Sequence, residues 1–175
     1  DIKLLDQENG YPNNLLALKQ SSFEELGEKY IDETKWARSS KPFFIDKMPN
    51  NFVHIGLIKL ILPKAKIIDA RRNPMDACFS CFKQYFAKGQ HFTYDLDDIA
   101  RYYKDYIRLM DYWKKLFPGE IFTINYEDVI KNPNERIADL LEFCNVKFEE
   151  NCLNFHKSKR PVKTASSEQV RQPMY

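Results

Sequence analysis

Apolar residues fall in short runs separated by polar or proline-containing breaks, and the spacing within each run predicts its element. Lys66-Ile67-Ile68-Asp69-Ala70 and Ile121-Phe122-Thr123-Ile124-Asn125-Tyr126 are short and rich in β-branched residues, so they read as buried strands. Phe43-Phe44-Ile45-Asp46 reads as another short buried strand, followed by Lys47-Met48-Pro49. Residues 11–19 predict a short helix after Gly10. Ser21 and Ser22, followed three residues later by Glu24 and Glu25, resemble capping boxes. The helix they open would turn Phe23, Leu26, Tyr30, Ile31 and Trp36 inward. Asn50 or Asn51 is expected to cap an apolar helix, Phe52 to Leu62, which Pro63 stops. Asn73 is expected to cap a helix from about 74 to 87, with Pro74 suited to its first turn, Asp76 near its positive end and Gly89 closing it. Asp95 opens a long helix ending near Phe117, Pro118 and Gly119, and Asn132-Pro133 starts another with Ile137, Leu140, Leu141 and Phe143 facing in. After about residue 155 the pattern dissolves into Lys157, Lys159, Arg160, Lys163 and polar residues, read as a loop lying on the domain.

Strands alternating with helices predict an α/β fold, a parallel sheet flanked by helices. Three strands make a small sheet for this much helix, so part of the sheet is expected to lie outside the sequence, leaving open edges. The 175 residues fit one domain, and 43% hydrophobic with 30% charged residues marks a globular chain. A net charge of +2 is too small for bulk nucleic-acid binding, so any anion site must come from local arrangement. The longest apolar run, Leu57 to Leu62, is broken by Lys59, and no segment is expected to span a membrane. The first residues lack the basic-then-apolar form of a signal peptide. Cys78 and Cys81 form a C-x-x-C inside a predicted helix, with no second pair at zinc spacing. Reduced buried thiols, no metal and a cytoplasmic location are the expectations.

Chemistry concentrates after the strand at 66–70. Arg71 and Arg72 follow it directly and precede a helix N-terminus, the edge where open α/β sheets bind anions. Arg72 offers a planar fork for phosphate, and Ser80 lies eight residues on, in the second turn of the helix. A solvated arginine pair that merely precedes a helix fits the same spacing. His54 reads as a packed histidine, and His91 as a loop residue able to line an acceptor pocket. Tyr102, Tyr103, Tyr106, Tyr112 and Trp113 read as core on the long helix.

Four segments in order carry a resemblance: Asp46-Lys47-Met48-Pro49-Asn50-Asn51-Phe52, Leu62-Pro63-Lys64-Ala65-Lys66-Ile67-Ile68, Arg72-Asn73-Pro74-Met75-Asp76 with Ser80, and Asn125-Tyr126-Glu127-Asp128. From about residue 40 onward the chain resembles the sulfotransferases that use 3′-phosphoadenosine 5′-phosphosulfate (PAPS), above all bacterial domains often fused to helical repeats and the tyrosylprotein sulfotransferases. The resemblance implies a P-loop NTPase-like sulfotransferase fold and transfer of a sulfuryl group to a hydroxyl acceptor, leaving adenosine 3′,5′-bisphosphate. It places Arg72 and Ser80 on the cofactor's 3′-phosphate and Tyr126 on its adenine. It places Lys47 near the transferred group, where a cation neutralises charge on the bridging oxygen. In the late Ser-x-x-Gln-Val segment it matches Ser166 to a catalytic serine, with Ser167 adjacent and Lys163 adding charge. Glu127 and Asp128 are read as orienting the loop of Tyr126.

The glycine-rich loop that cradles the 5′-phosphosulfate in this family has no counterpart here: Gly10, Gly27, Gly56, Gly89 and Gly119 fit no such motif. The expected organisation is therefore a single partial domain over 1–175, incomplete at the N-terminus: a helical segment at 1–42, an α/β core at 43–155 and a cofactor-covering tail at 156–175. The general base is expected upstream as well. Two other readings stay open, a nucleotide-binding or interaction fragment without chemistry and a P-loop kinase relative acting on phosphate.

Overall fold

The computed structural model describes residues 10–38, 41–86, 89–157 and 171. It divides into two compact units, Asp1–Ala65 and Lys66–Tyr175.

In the first unit a 3₁₀ turn at Asn13–Ala17 precedes helix α1 (Gln20–Glu33), and a second at Pro49–His54 precedes helix α2 (Ile55–Ile61). The two helices bury Phe23, Ile55 and Leu57. Gly27 lets them approach closely, because a Cβ there would stand 2.1 Å from the Ile61 carbonyl oxygen. The lysine that interrupts the apolar run of α2 has a local use. Lys59 is buried, and its ammonium donates to the carbonyls of Pro63 (2.7 Å) and Ala65 (3.3 Å) just past the helix end.

Four expectations fail in this unit, the first being that Asn50 or Asn51 caps the apolar helix: both lie within the 3₁₀ turn, and α2 starts at Ile55 after His54 with no side-chain cap. The capping boxes do not form: α1 starts at Gln20, so Ser21 and Ser22 lie within it, and Glu24 accepts instead from the Gln20 side-chain amide at 3.3 Å. Trp36 is 88% exposed, because α1 stops at Glu33 and the helical period no longer carries it inward. Residues 43–46 form no strand, and Phe43 and Ile45 are exposed. Among the described residues the first unit holds no strand to supply ladder hydrogen bonds.

The second unit contains a two-stranded parallel sheet instead of the three strands expected. Strand β1 (Ile67–Arg71) and strand β2 (Ile121–Asn125) pair from Ile67 opposite Ile121 to Arg71 opposite Asn125. Helices α3 (Pro74–Lys83) and α4 (Leu96–Leu116) connect them, and α5 (Tyr126–Lys131) and α6 (Pro133–Phe143) follow. Two caps form as the sequence predicts. Asn73 Oδ1 accepts from the N–H groups of Met75 (2.9 Å) and Asp76 (3.4 Å), and Asp95 Oδ1 from those of Asp97 (2.9 Å) and Asp98 (3.0 Å). Helix α3 ends at Lys83, with Gln84 already extended, so Gly89 does not close it. No described helix is long and apolar enough to cross a membrane.

Strand alternation gives β1 two chemically different faces. Ile68 stands opposite Phe122, whose ring lies 5.3 Å from that of Phe143 on α6. The other face carries Asp69, 6% exposed, directed at α4. Its carboxylate accepts from Arg71 Nε (2.8 Å), from the Tyr106 hydroxyl and from Thr123 Oγ1 (3.3 Å), and Lys114 Nζ lies 3.3 Å away. Burial alone would raise the Asp69 pKa. The hydrogen bonds from Arg71 and Tyr106, with the charges of Arg71 and Lys114, outweigh it and hold the carboxyl below its ordinary range. Burial and the hydrogen bond to this carboxylate push the Tyr106 phenol well above its ordinary value.

Two stability measurements follow. Gly27→Ala would gain about 1 kcal/mol of helix propensity. The clash with a backbone oxygen outweighs this, and urea unfolding should show a net loss of about 1–3 kcal/mol. Because its pKa is lowered on folding, Asp69 stabilises the fold above its unfolded pKa of about 3.9, and that contribution disappears as pH falls through the lower folded value. Asp69→Asn should therefore be less stable at neutral pH and show a flatter acid limb in urea titrations from pH 7 to pH 2.

Candidate functional site

The register of the parallel pair builds the candidate site. Arg71 faces Asn125, so the residues that follow the two strands, Arg72 and Tyr126, emerge side by side at the carboxyl edge of the sheet. The Arg72 guanidinium carbon lies 5.7 Å from the centre of the Tyr126 ring, within cation–π range. Arg72 is exposed and Tyr126, the first residue of α5 instead of the last of β2, is half-buried.

The two arginines that look equivalent in the sequence are separated by strand alternation. Arg71 turns inward, its Nη2 2.7 Å from Asp69 and its guanidinium over the Tyr106 ring at 5.5 Å. Arg72 turns outward and, among the described residues, forms no ion pair within 4.0 Å. One arginine is structural and the other is available to an anion.

Helix α3 starts immediately beyond, with its first N–H groups taken by Asn73. Ser80 is exposed and seven residues past Asn73, a spacing that returns to nearly the same face of an α-helix. Ala77 lies between them on that stripe and is small enough to leave the face low. The two loops are also joined: Glu127 Oε1 accepts the Asn73 N–H at 2.8 Å. That hydrogen bond, together with the Glu127 backbone N–H and the charge of Arg72, lowers the Glu127 pKa. Nothing in the spacing of Glu127 announces a partner 54 residues away, and only the pairing of the strands reveals it.

Lys47 belongs to the first unit and is exposed. Its neighbour Asp46 is fixed by the Tyr30 hydroxyl, which donates at 2.6 Å. The Tyr30 pKa is pushed up to about 12, first by burial and then by its hydrogen bond to Asp46 and the charge of that carboxylate. Arg38 covers the Phe44 ring at 5.1 Å. The segment before Lys47 is thus held by α1 and the turn after it, not by a sheet. Lys163, Ser166 and Ser167 lie outside the described residues.

His54 is half-buried and hydrogen-bonds the Tyr11 hydroxyl at 2.6 Å through Nδ1, a packing contact. His91 is exposed with Tyr94 6.2 Å away, and no described contact ties it to Arg72. Cys78 and Cys81 are free and half-buried, and burial raises both thiol pKa values. That opposes thiolate chemistry. Among the described residues no cluster of His, Cys, Asp and Glu fits a metal ion.

A sequence profile described as the sulfotransferase family matches residues 6–150. This chain belongs to the sulfotransferase family. It is 38% identical over 169 residues to an uncharacterized protein of Aquifex aeolicus (strain VF5). The match covers 94% of this sulfotransferase chain and 22% of that protein, so the chain spans about a fifth of its relative's length. The helix-rich α/β architecture with its small parallel sheet is consistent with a sulfotransferase fold.

The split between the arginines is measurable in this chain. Arg71→Ala leaves Asp69 buried beside fewer cations and should cost on the order of 3 kcal/mol in urea unfolding. Arg72→Ala should change stability by no more than about 0.5 kcal/mol.

Proposed function

We propose that this chain is the 3′-phosphate and adenine half of a PAPS-dependent sulfotransferase with a P-loop NTPase-like fold. Its reaction would move a sulfuryl group from PAPS to a hydroxyl acceptor. The observation that carries the reading is the pairing of the outward Arg72 with the Tyr126 ring at the carboxyl edge of the parallel strands. The residues present fit the cofactor's nucleotide end: a charged fork for phosphate, a nearby aromatic face for a base, and a helix hydroxyl at Ser80. PAPS, when bound, supplies the activated sulfuryl group.

In this reading Arg72 and Ser80 hold the 3′-phosphate, and Tyr126 orients the adenine. Lys47 disperses charge on the bridging oxygen as the sulfuryl group departs. By the family pattern, Ser166 serves catalysis near the cofactor, with Ser167 beside it in sequence and Lys163 adding positive charge. The roles of Lys47 and the tail rest on the family pattern alone. The sequence holds no glycine-rich phosphate loop, so the 5′-phosphosulfate cradle and the general base would come from elsewhere in the working enzyme. The same absence supports a second reading, in which this chain by itself binds nucleotide without transferring sulfate.

Calorimetric titration tests the cofactor assignment. Adenosine 3′,5′-bisphosphate should bind at least about tenfold more tightly than adenosine 5′-monophosphate, the worth of one charge-assisted hydrogen bond. Arg72→Ala should remove the preference. Equal affinities in the unaltered protein would overturn the reading.

A further inference from the structure

The hydrogen bond between Glu127 and the Asn73 backbone crosses from the end of β2 to the end of β1. Asn73 directly follows Arg72, and Glu127 directly follows Tyr126. One carboxylate therefore joins the two loops that carry the exposed guanidinium and its aromatic neighbour. The acceptor oxygen meets the N–H at 2.8 Å, and the same N–H lies at the head of α3, where Asn73 caps the helix with its side chain.

This placement has an electrostatic cost. The Glu127 carboxylate lies near enough to Arg72 for its charge to be felt, so it opposes an incoming phosphate. A residue selected only to raise anion affinity here would not be acidic. The position instead suits a group whose hydrogen bond matters more than its charge.

We infer that Glu127 is a positioning residue that straps the Arg72 loop to the Tyr126 loop and sets the distance between the two groups. The inference rests on the reading of this edge as a 3′-phosphate and adenine site. The strap matters for a ligand that spans both loops and little for one that uses only the aromatic side. Its acceptor oxygen does the positioning, while its negative charge works against binding.

Two substitutions separate these effects. Glu127→Ala removes the acceptor. Glu127→Gln keeps a carbonyl oxygen in place and removes the charge. In titrations of the full chain, Glu127→Ala should weaken adenosine 3′,5′-bisphosphate about tenfold. It should change adenosine 5′-monophosphate less than about threefold, since that ligand bridges nothing. Glu127→Gln should bind the bisphosphate at least as tightly as the unaltered protein. In the Glu127→Ala background, Arg72→Ala should cost less than it does alone, a non-additivity expected of coupled groups.

A merely structural residue would lower the unfolding midpoint and leave the ratio of the two affinities unchanged, which would overturn the inference. So would a Glu127→Gln variant as weak as Glu127→Ala. Both of those results keep the preference of the unaltered protein for the bisphosphate, so the parent reading survives them. Loss of that preference in the unaltered protein would remove both.

Discussion

A buried carboxylate organises the second unit. Asp69 sits on the inward face of β1 and gathers Arg71, Tyr106, Thr123 and Lys114 around it. Burying one charge is unfavourable unless every partner is supplied, and here the strand itself and the neighbouring strand each supply one and α4 supplies two. The cluster therefore fixes which face of β1 meets α4. Once Arg71 is committed to Asp69, alternation leaves Arg72 on the opposite side, free of the core. The division of labour between two adjacent arginines is a consequence of where the aspartate lies.

The edge of the sheet inherits its geometry from this arrangement. Parallel pairing in the observed register brings Arg72 and Tyr126 together. Glu127 then adds a connection across the same edge. The candidate site is thus made of the first residues beyond two paired strands, and its precision is that of the ladder behind it.

Much of this was legible in the sequence where a local signal has a local partner. The caps at Asn73 and Asp95 depend on residues within a few positions of one another, and the strands at 67–71 and 121–125 could be read from their β-branched composition. The misses occur where the deciding partner is distant or absent. Phe43-Phe44-Ile45 has strand composition, but strand formation requires a neighbouring ladder. Ser21 and Ser22 have the capping spacing, but Gln20 engages Glu24 first. The site divides the same way. Arg72, Ser80 and Tyr126 could be named from motif order, whereas the inward turn of Arg71 and the reach of Glu127 to Asn73 depend on tertiary pairing that no spacing encodes.

The inward commitment of Arg71 also bears on what the edge can discriminate. A polynucleotide gains affinity by engaging many phosphates at once and releasing their condensed counterions, which needs a row of unneutralised cations. Among the described residues this edge presents the Arg72 guanidinium, partly offset by the nearby Glu127 carboxylate. On the proposed reading, recognition there would depend on the shape of a single small anion and the ring beside it.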